Sequence, residues 1–236
     1  MSTTLRITIL FALTLLLTTT AWSQSSRPYN DKPNSLRLSY GDFTPDGRSV
    51  YWRTRERDFF GSAKDFEDDR FGATVSRTVS ERWGYLFNGH VWEGQQSTSF
   101  RDYIDDQGDD IFHTATVEVI DFGAGVVFYP LRRNAIVAPY IAGGFALYLY
   151  DLREAGDFID FETDGLEIFT GAFRDSGETV GWFWTVGLEI PIGPAFAVFG
   201  EYNWTYASTK LEGDFREFGT FDLGGEGLAL GLSFRF

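Results

Sequence analysis

The stretch Leu223 to Phe236, L-G-G-E-G-L-A-L-G-L-S-F-R-F, decides how the whole chain is read. Leu228, Leu230, Leu232, Phe234 and Phe236 fall on every second residue, with Gly227, Ala229, Gly231, Ser233 and Arg235 between them. Successive side chains of a strand point to opposite faces, so one face here is wholly apolar and the other is small or polar. One side suits hydrocarbon and the other a narrow interior. A soluble sandwich shows similar alternation but rarely ends on an aromatic residue with no polar tail behind it.

Working back from this strand, the same alternation recurs seven times. Leu36, Leu38 and Tyr40 alternate with Arg37, Ser39 and Gly41 in the first strand, and Pro45-Asp46-Gly47 then turns into a long polar stretch to about Glu67. The second strand is expected over 70–79, the third over 84–98, the fourth over 113–129, the fifth over 135–150, the sixth over 180–190 and the seventh over 196–206. In the second, Arg77 breaks the apolar face near its end, where it can snorkel to a headgroup. The fourth is uneven: Ala115, Val117 and Val119 share one phase and Phe122, Ala124, Val126 and Phe128 the other, so a β-bulge is expected near Asp121. Residues 80–83, 129–134 and 191–194 make short turns, while the polar first segment and the acidic segments 99–111, 151–178 and 210–221 make long connections. Three short turns facing four long loops is the arrangement of an eight-stranded antiparallel up-and-down transmembrane β-barrel with short periplasmic turns and long extracellular loops. Tyr85, Trp182, Trp184, Trp204 and Tyr206 are placed for the interfacial girdles.

Composition narrows the classes further. Met1 to Ser23 carries Arg6, the apolar run Ile7 to Leu17 and small residues at Ala21 and Ser23, which reads as a cleavable signal peptide with Gln24 as the first mature residue. Residues 24–34, polar and proline-rich, read as a flexible N-terminal segment, and 35–236 as the barrel domain. There is no Cys, so neither a lipoprotein anchor nor a disulfide nor a thiolate metal site is possible. Without Arg6 the chain has 19 Lys and Arg against 34 Asp and Glu, a charge of −15, which argues against nucleic acid as a partner.

The closing strand with Phe236, the run P-Y-I-A-G-G-F at 139–145 and the run G-A-G-V-V-F-Y-P at 123–130 resemble the small eight-stranded outer-membrane barrels of the OmpA transmembrane domain, OmpX and OmpW type. The resemblance covers the barrel domain and rests on runs generic to that superfamily. It implies a place in the bacterial outer membrane and contact with outer-membrane lipid and lipopolysaccharide. It also implies Leu232, Phe234 and Phe236 as a signal read by the barrel-assembly machinery, with periplasmic chaperones as partners during biogenesis, and a monomer.

Arg37, Arg70, Glu189, Glu201 and Arg235 fall on the interior phase and are expected to form a lumen charge network, since buried charges must pair. No cofactor, metal or catalytic site is assigned. Lipid A deacylases resemble the chain in size and strand count, but they pair a His with a Ser two residues on, where this chain has Trp92 after His90 and Ala115 after His113. Clustered carboxylates at 102–110 lack the ligand spacing of a calcium loop and read as solvated. Arg53, Arg55, Arg57 and Lys64 lie in the first loop among Asp58, Asp65 and Glu67, which favours local pairing over lipopolysaccharide phosphate contacts. Three functions stay open: a non-enzymatic surface or structural barrel with acidic extracellular loops serving interaction or envelope integrity, a narrow channel for small solutes, and a lipid A-modifying enzyme.

Overall fold

The computed structural model describes residues 32–161 and 167–236, so the signal peptide and residues 24–31 of the expected flexible segment lie outside the described residues. The elements are β1 (Asn34–Pro45), α1 (Val50–Asp58), β2 (Asp68–Thr78), β3 (Trp83–Ile104), β4 (Asp110–Phe128), β5 (Ala138–Asp160), β6 (Glu167–Pro191), β7 (Phe196–Tyr206), β8 (Ser208–Lys210), β9 (Thr220–Asp222) and β10 (Gly225–Arg235). β1 to β7 and β10 close into one antiparallel ring in which β1 pairs with both β2 and β10. The small β8 and β9 pair only with each other. Closure leaves no strand edge unpaired within the hydrocarbon layer, as a spanning sheet must.

Both ends of the ring strands meet at the end carrying the short turns, where Asn34 and Phe236 exchange backbone hydrogen bonds of 3.0 Å. Asn34 therefore belongs to β1 and not to the flexible segment assigned by sequence, and the Pro33 carbonyl accepts from the Thr78 amide at 2.8 Å. The outward face is a continuous apolar belt. Leu38, Phe71, Phe87, Phe145, Val180, Leu230 and Leu232 are each more than half exposed to the surroundings, far more contiguous apolar surface than a water-soluble protein tolerates. Rings cluster at both rims: Trp184 stacks on Trp204 at 4.5 Å and Trp182 on Tyr206 at 5.6 Å toward the outer end, Trp83 meets Phe128 at 4.6 Å and Phe196 meets Phe234 at 5.2 Å toward the turns. Tyr85, one of the expected girdle residues, belongs to the inner rim beside Trp83.

Directly above the belt, seven of the eight ring strands place a carboxylate on the outward phase: Asp42, Asp69, Glu93, Glu118, Asp151, Glu178 and Glu226. Each lies two residues beyond the uppermost apolar side chain of its strand. Asp42 is the register partner of Asp69, and Glu118 of both Glu93 and Asp151. Like charges directly across strands repel; Arg153 and Arg174 offset this at Asp151, with ion pairs of 2.8 and 2.5 Å.

Three expectations need correction. The pairing of β4 with β3 and with β5 runs through Asp121 without a register shift, so no bulge lies there. Ala115, Val117 and Val119 simply face inward throughout, because the outer half of the lumen is apolar. Second, the acidic segments 99–111 and 151–178 are mostly not irregular loops. β3 and β4 continue to Ile104 and from Asp110, and β5 pairs with β6 in unbroken register from Ala138↔Glu189 to Asp160↔Glu167. Outside the bilayer the outward face has no reason to stay apolar, so the hydrophobic half of the alternation stops while the ladder goes on. Third, the first loop is not a solvated polar stretch: α1 turns inward, burying Tyr51, Trp52 and Arg55.

Curvature explains the inward glycines. Gly125 and Gly144 are register partners on the lumen face, and a Cβ on either would lie 2.3 or 2.1 Å from a backbone oxygen of the neighbouring strand. A ring this narrow has no room for two side chains there.

Candidate functional site

The lumen is occupied at three levels. At the floor, nearest the short turns, Glu189 is fully buried and accepts from Arg37 Nη2 at 2.5 Å and from Arg235 Nε at 2.9 Å. Arg37 also donates to the Tyr129 hydroxyl at 2.8 Å and lies 4.3 Å over the Tyr140 ring, whose hydroxyl donates to Glu201 at 2.6 Å. Arg133, from the turn 129–137, is buried too and donates to Thr78 Oγ1 at 2.7 Å and the Pro33 carbonyl at 3.0 Å. Thus four of the five residues assigned to a lumen network, Arg37, Glu189, Glu201 and Arg235, come together around Tyr129 and Tyr140. A buried carboxylate with two guanidiniums survives only because its lone pairs are filled; without it the cations would be stranded.

The fifth, Arg70, stands apart at the waist. Its Nη2 donates to Asp121 Oδ2 at 2.7 Å, and His90 Nδ1 lies 2.8 Å from Asp121 Oδ1. Asp121 was missed by sequence reading because the supposed bulge removed it from the interior phase; an unbroken phase through β4 points it inward.

At the mouth, α1 spans nine residues, too short to be stable alone. What holds it is packing. Tyr51 and Trp52 pack edge-on against Phe221 and Phe66 at about 5 Å, the Trp52 indole donates to the Asp222 carbonyl at 3.2 Å, and Phe43, Trp92, Val117, Tyr150 and Leu152 complete the core. Arg55, expected among exposed loop cations, is buried: it donates to Glu154 Oε1 at 2.9 Å and to His113 Nε2 at 3.3 Å. Tyr51 donates to the same Glu154 oxygen at 2.6 Å. His113 sits on the part of β4 beyond the belt, packed on the Phe59 ring at 4.3 Å between centroids. Burial, and then the Arg55 cation, hold its imidazole down at about 4. It is neutral and accepts through Nε2. Burial, and then the Glu154 charge, push the Tyr51 phenol well above its ordinary range.

Above Tyr51, Arg55 and Glu154 opens a cleft of about 620 Å3 between α1, the β3–β4 and β5–β6 hairpins and the segment 213–218. Ten of its seventeen lining residues are aromatic, among them Phe59, Phe100, Phe158 and Phe173, and Asp102 and Asp214 stand on its rim. The signal for it was present in sequence as rings spaced through segments otherwise polar. In the 105–110 turn Asp106, Asp109 and Asp110 are exposed and half-buried Asp105 accepts from the Gln107 and Asp109 amides at 2.8 Å, and among the described residues no three acidic or histidine side chains converge to hold a metal. Exposed Arg57 pairs with Asp58 at 2.6 Å.

A family model described as outer membrane protein beta-barrel domain matches residues 9–236. No match is found among curated proteins. Among solved structures the chain is similar to the outer membrane protein OprG from Pseudomonas aeruginosa, at 13% identity and a TM-score of 0.53, covering 86% of this chain and 95% of that one. It is also similar to Neisserial surface protein A, at 9% identity and a TM-score of 0.50, covering 86% and 96%. At such identities the likeness is one of fold.

Proposed function

The chain belongs to the outer membrane β-barrel domain family and resides in the bacterial outer membrane, and on that premise we propose that it is a non-enzymatic, non-conducting barrel that displays its extracellular hairpins. The observation that carries this is the filling of the lumen at floor, waist and mouth by side chains bonded to one another. An eight-stranded ring is only wide enough for its own side chains, so filling at three levels leaves no aqueous path. The charged floor is built for rigidity in this reading, and the hairpins above the belt are the working surface.

The enzyme alternative would rest on His90, oriented by Asp121 as the imidazole of a hydrolytic triad is by its acid. The same carboxylate is taken by Arg70, however, which makes the set a neutralised ion pair and supports a structural role. Lipid and lipopolysaccharide are the proposed surroundings of the belt and girdles. Leu232, Phe234 and Phe236 are the proposed contact for the assembly machinery and chaperones, and the folded protein is proposed to be a monomer.

The test is electrical. The refolded chain in planar bilayers is expected to give no single-channel steps, and steady conductance by the unmodified protein would replace this reading with the narrow channel. His90→Gln is expected to leave lipid A acylation on overexpression as it is with the unmodified protein; a difference would revive the enzyme.

A further inference from the structure

The mouth cleft has a chemistry that the closed lumen does not use. Its volume lies within the range of small-molecule sites, about 300–1,000 Å3. Phe158 meets Phe173 edge to face at 4.9 Å and Phe59 meets Phe100 tilted at 4.5 Å, and one cation is already taken up by these rings, the Arg55 guanidinium lying 5.5 Å over Phe59. The charges of the wall cancel in pairs: Arg55 with Glu154, and Arg57 with Asp58. Asp102 and Asp214 are left over, with no cation in hydrogen-bonding reach of either among the described residues. His113 beneath adds no positive charge at neutral pH.

The surroundings point the same way. Segments 46–67, 93–118, 151–161, 167–178 and 207–226, which lie beyond the belt, hold 10 Lys and Arg against 24 Asp and Glu, a net charge of −14. That is all but one unit of the −15 of residues 24–236 together, so the negative potential is concentrated at this end. A concave site in such a field gathers cations, and π-faces hold a cation that has shed its water. An inorganic ion keeps its hydration and has no use for ten rings; an uncharged apolar molecule has no use for the rim.

We propose that the cleft binds a small organic cation, an alkylated ammonium group on an aromatic or aliphatic body, with the charged nitrogen between the phenylalanine faces and the Asp102 and Asp214 carboxylates. The site shares Tyr51, Arg55 and Glu154 with the mouth plug and takes nothing from the floor, and cation binding is read by calorimetry separately from conductance. The full chain, folded in an uncharged maltoside detergent, is titrated calorimetrically with benzyltrimethylammonium, its carbon isostere and benzoate. Saturable binding of the cation is expected at one site, ~10-fold tighter than the isostere, weakening as salt rises and undetectable for benzoate. The exposed substitutions Asp102→Asn with Asp214→Asn, which leave the fold untouched, are expected to lower affinity ~10-fold, as is Phe173→Leu. Equal affinity for the isostere, preference for benzoate, indifference to these substitutions, or no saturable binding by a chain with intact strand circular dichroism would each overturn the assignment.

Discussion

At the floor of the barrel, Glu189 on β6 gathers Arg37 and Arg235 from two other wall strands, whereas at the mouth Tyr51, Trp52 and Arg55 turn inward from a helix between β1 and β2. The first arrangement is held by the register of the ring itself and cannot loosen unless the wall does. The second is held by side-chain packing on a connecting segment, which can leave while every ladder hydrogen bond persists. Two ends of one lumen are therefore closed with different cooperativity: the floor should open only with global unfolding, and the mouth in a local step of its own.

The strongest way to break the contrast is at the floor. Glu189→Gln strands two buried guanidiniums and is expected to cost about 3–5 kcal/mol of global stability, read from urea unfolding in lipid vesicles as a shifted midpoint with an unchanged slope. Trp52→Ala is expected to cost a comparable amount through lost packing, about 3–5 kcal/mol, but the loss should be confined to the mouth. Hydrogen exchange would show α1 amides deprotected and the amides of β1 and β10 unaffected; equal loss in both would erase the distinction between the two ends.

Acid provides the next test. His113 is held at about 4 in the folded chain against an ordinary 6.5, so between those values the unfolded mouth binds the proton that the folded mouth refuses. Stability of α1 is thus full above pH 6.5 and falls as pH drops toward 4, by on the order of 2–3 kcal/mol. His113→Gln should flatten that slope, and exchange at α1 measured at pH 7 and pH 5 decides it. The smallest effect belongs outside: Arg153→Ala breaks a half-exposed pair with Asp151 and should cost under about 1 kcal/mol, further reduced by salt.

The two ends also differ in how far they were legible. Arg37, Glu189, Glu201 and Arg235 stand on strands, where period two assigns each side chain a face, and the closing strand fixed that phase for the whole ring. The same logic fails at Asp121 only because apolar Ala115, Val117 and Val119 lie in the opposite phase to Phe122 and Ala124 and so call for a bulge between them, where the structure has instead an apolar interior above the waist. Nothing of comparable regularity marks α1. Its sequence V-Y-W-R-T-R-E-R-D is mostly polar, and only the adjacent rings Tyr51 and Trp52, with Phe66 beyond, signal a segment that must be buried. The tall hairpins were mistaken for loops because their outward residues are acidic, although Ile168, Phe169, Thr170 and Phe173 keep strand-forming character well beyond the bilayer.

The carboxylates set just beyond the belt give the molecule a waterline. Sinking the wall by one strand repeat would drag seven acidic side chains into hydrocarbon, and raising it by as much would bare Tyr40, Phe71, Val91, Ile120, Leu149, Val180 and Leu228 to solvent. Depth is thereby fixed from both directions at once. Everything taller than that line stands at a constant height above the cell, whatever the thickness of the leaflet around it.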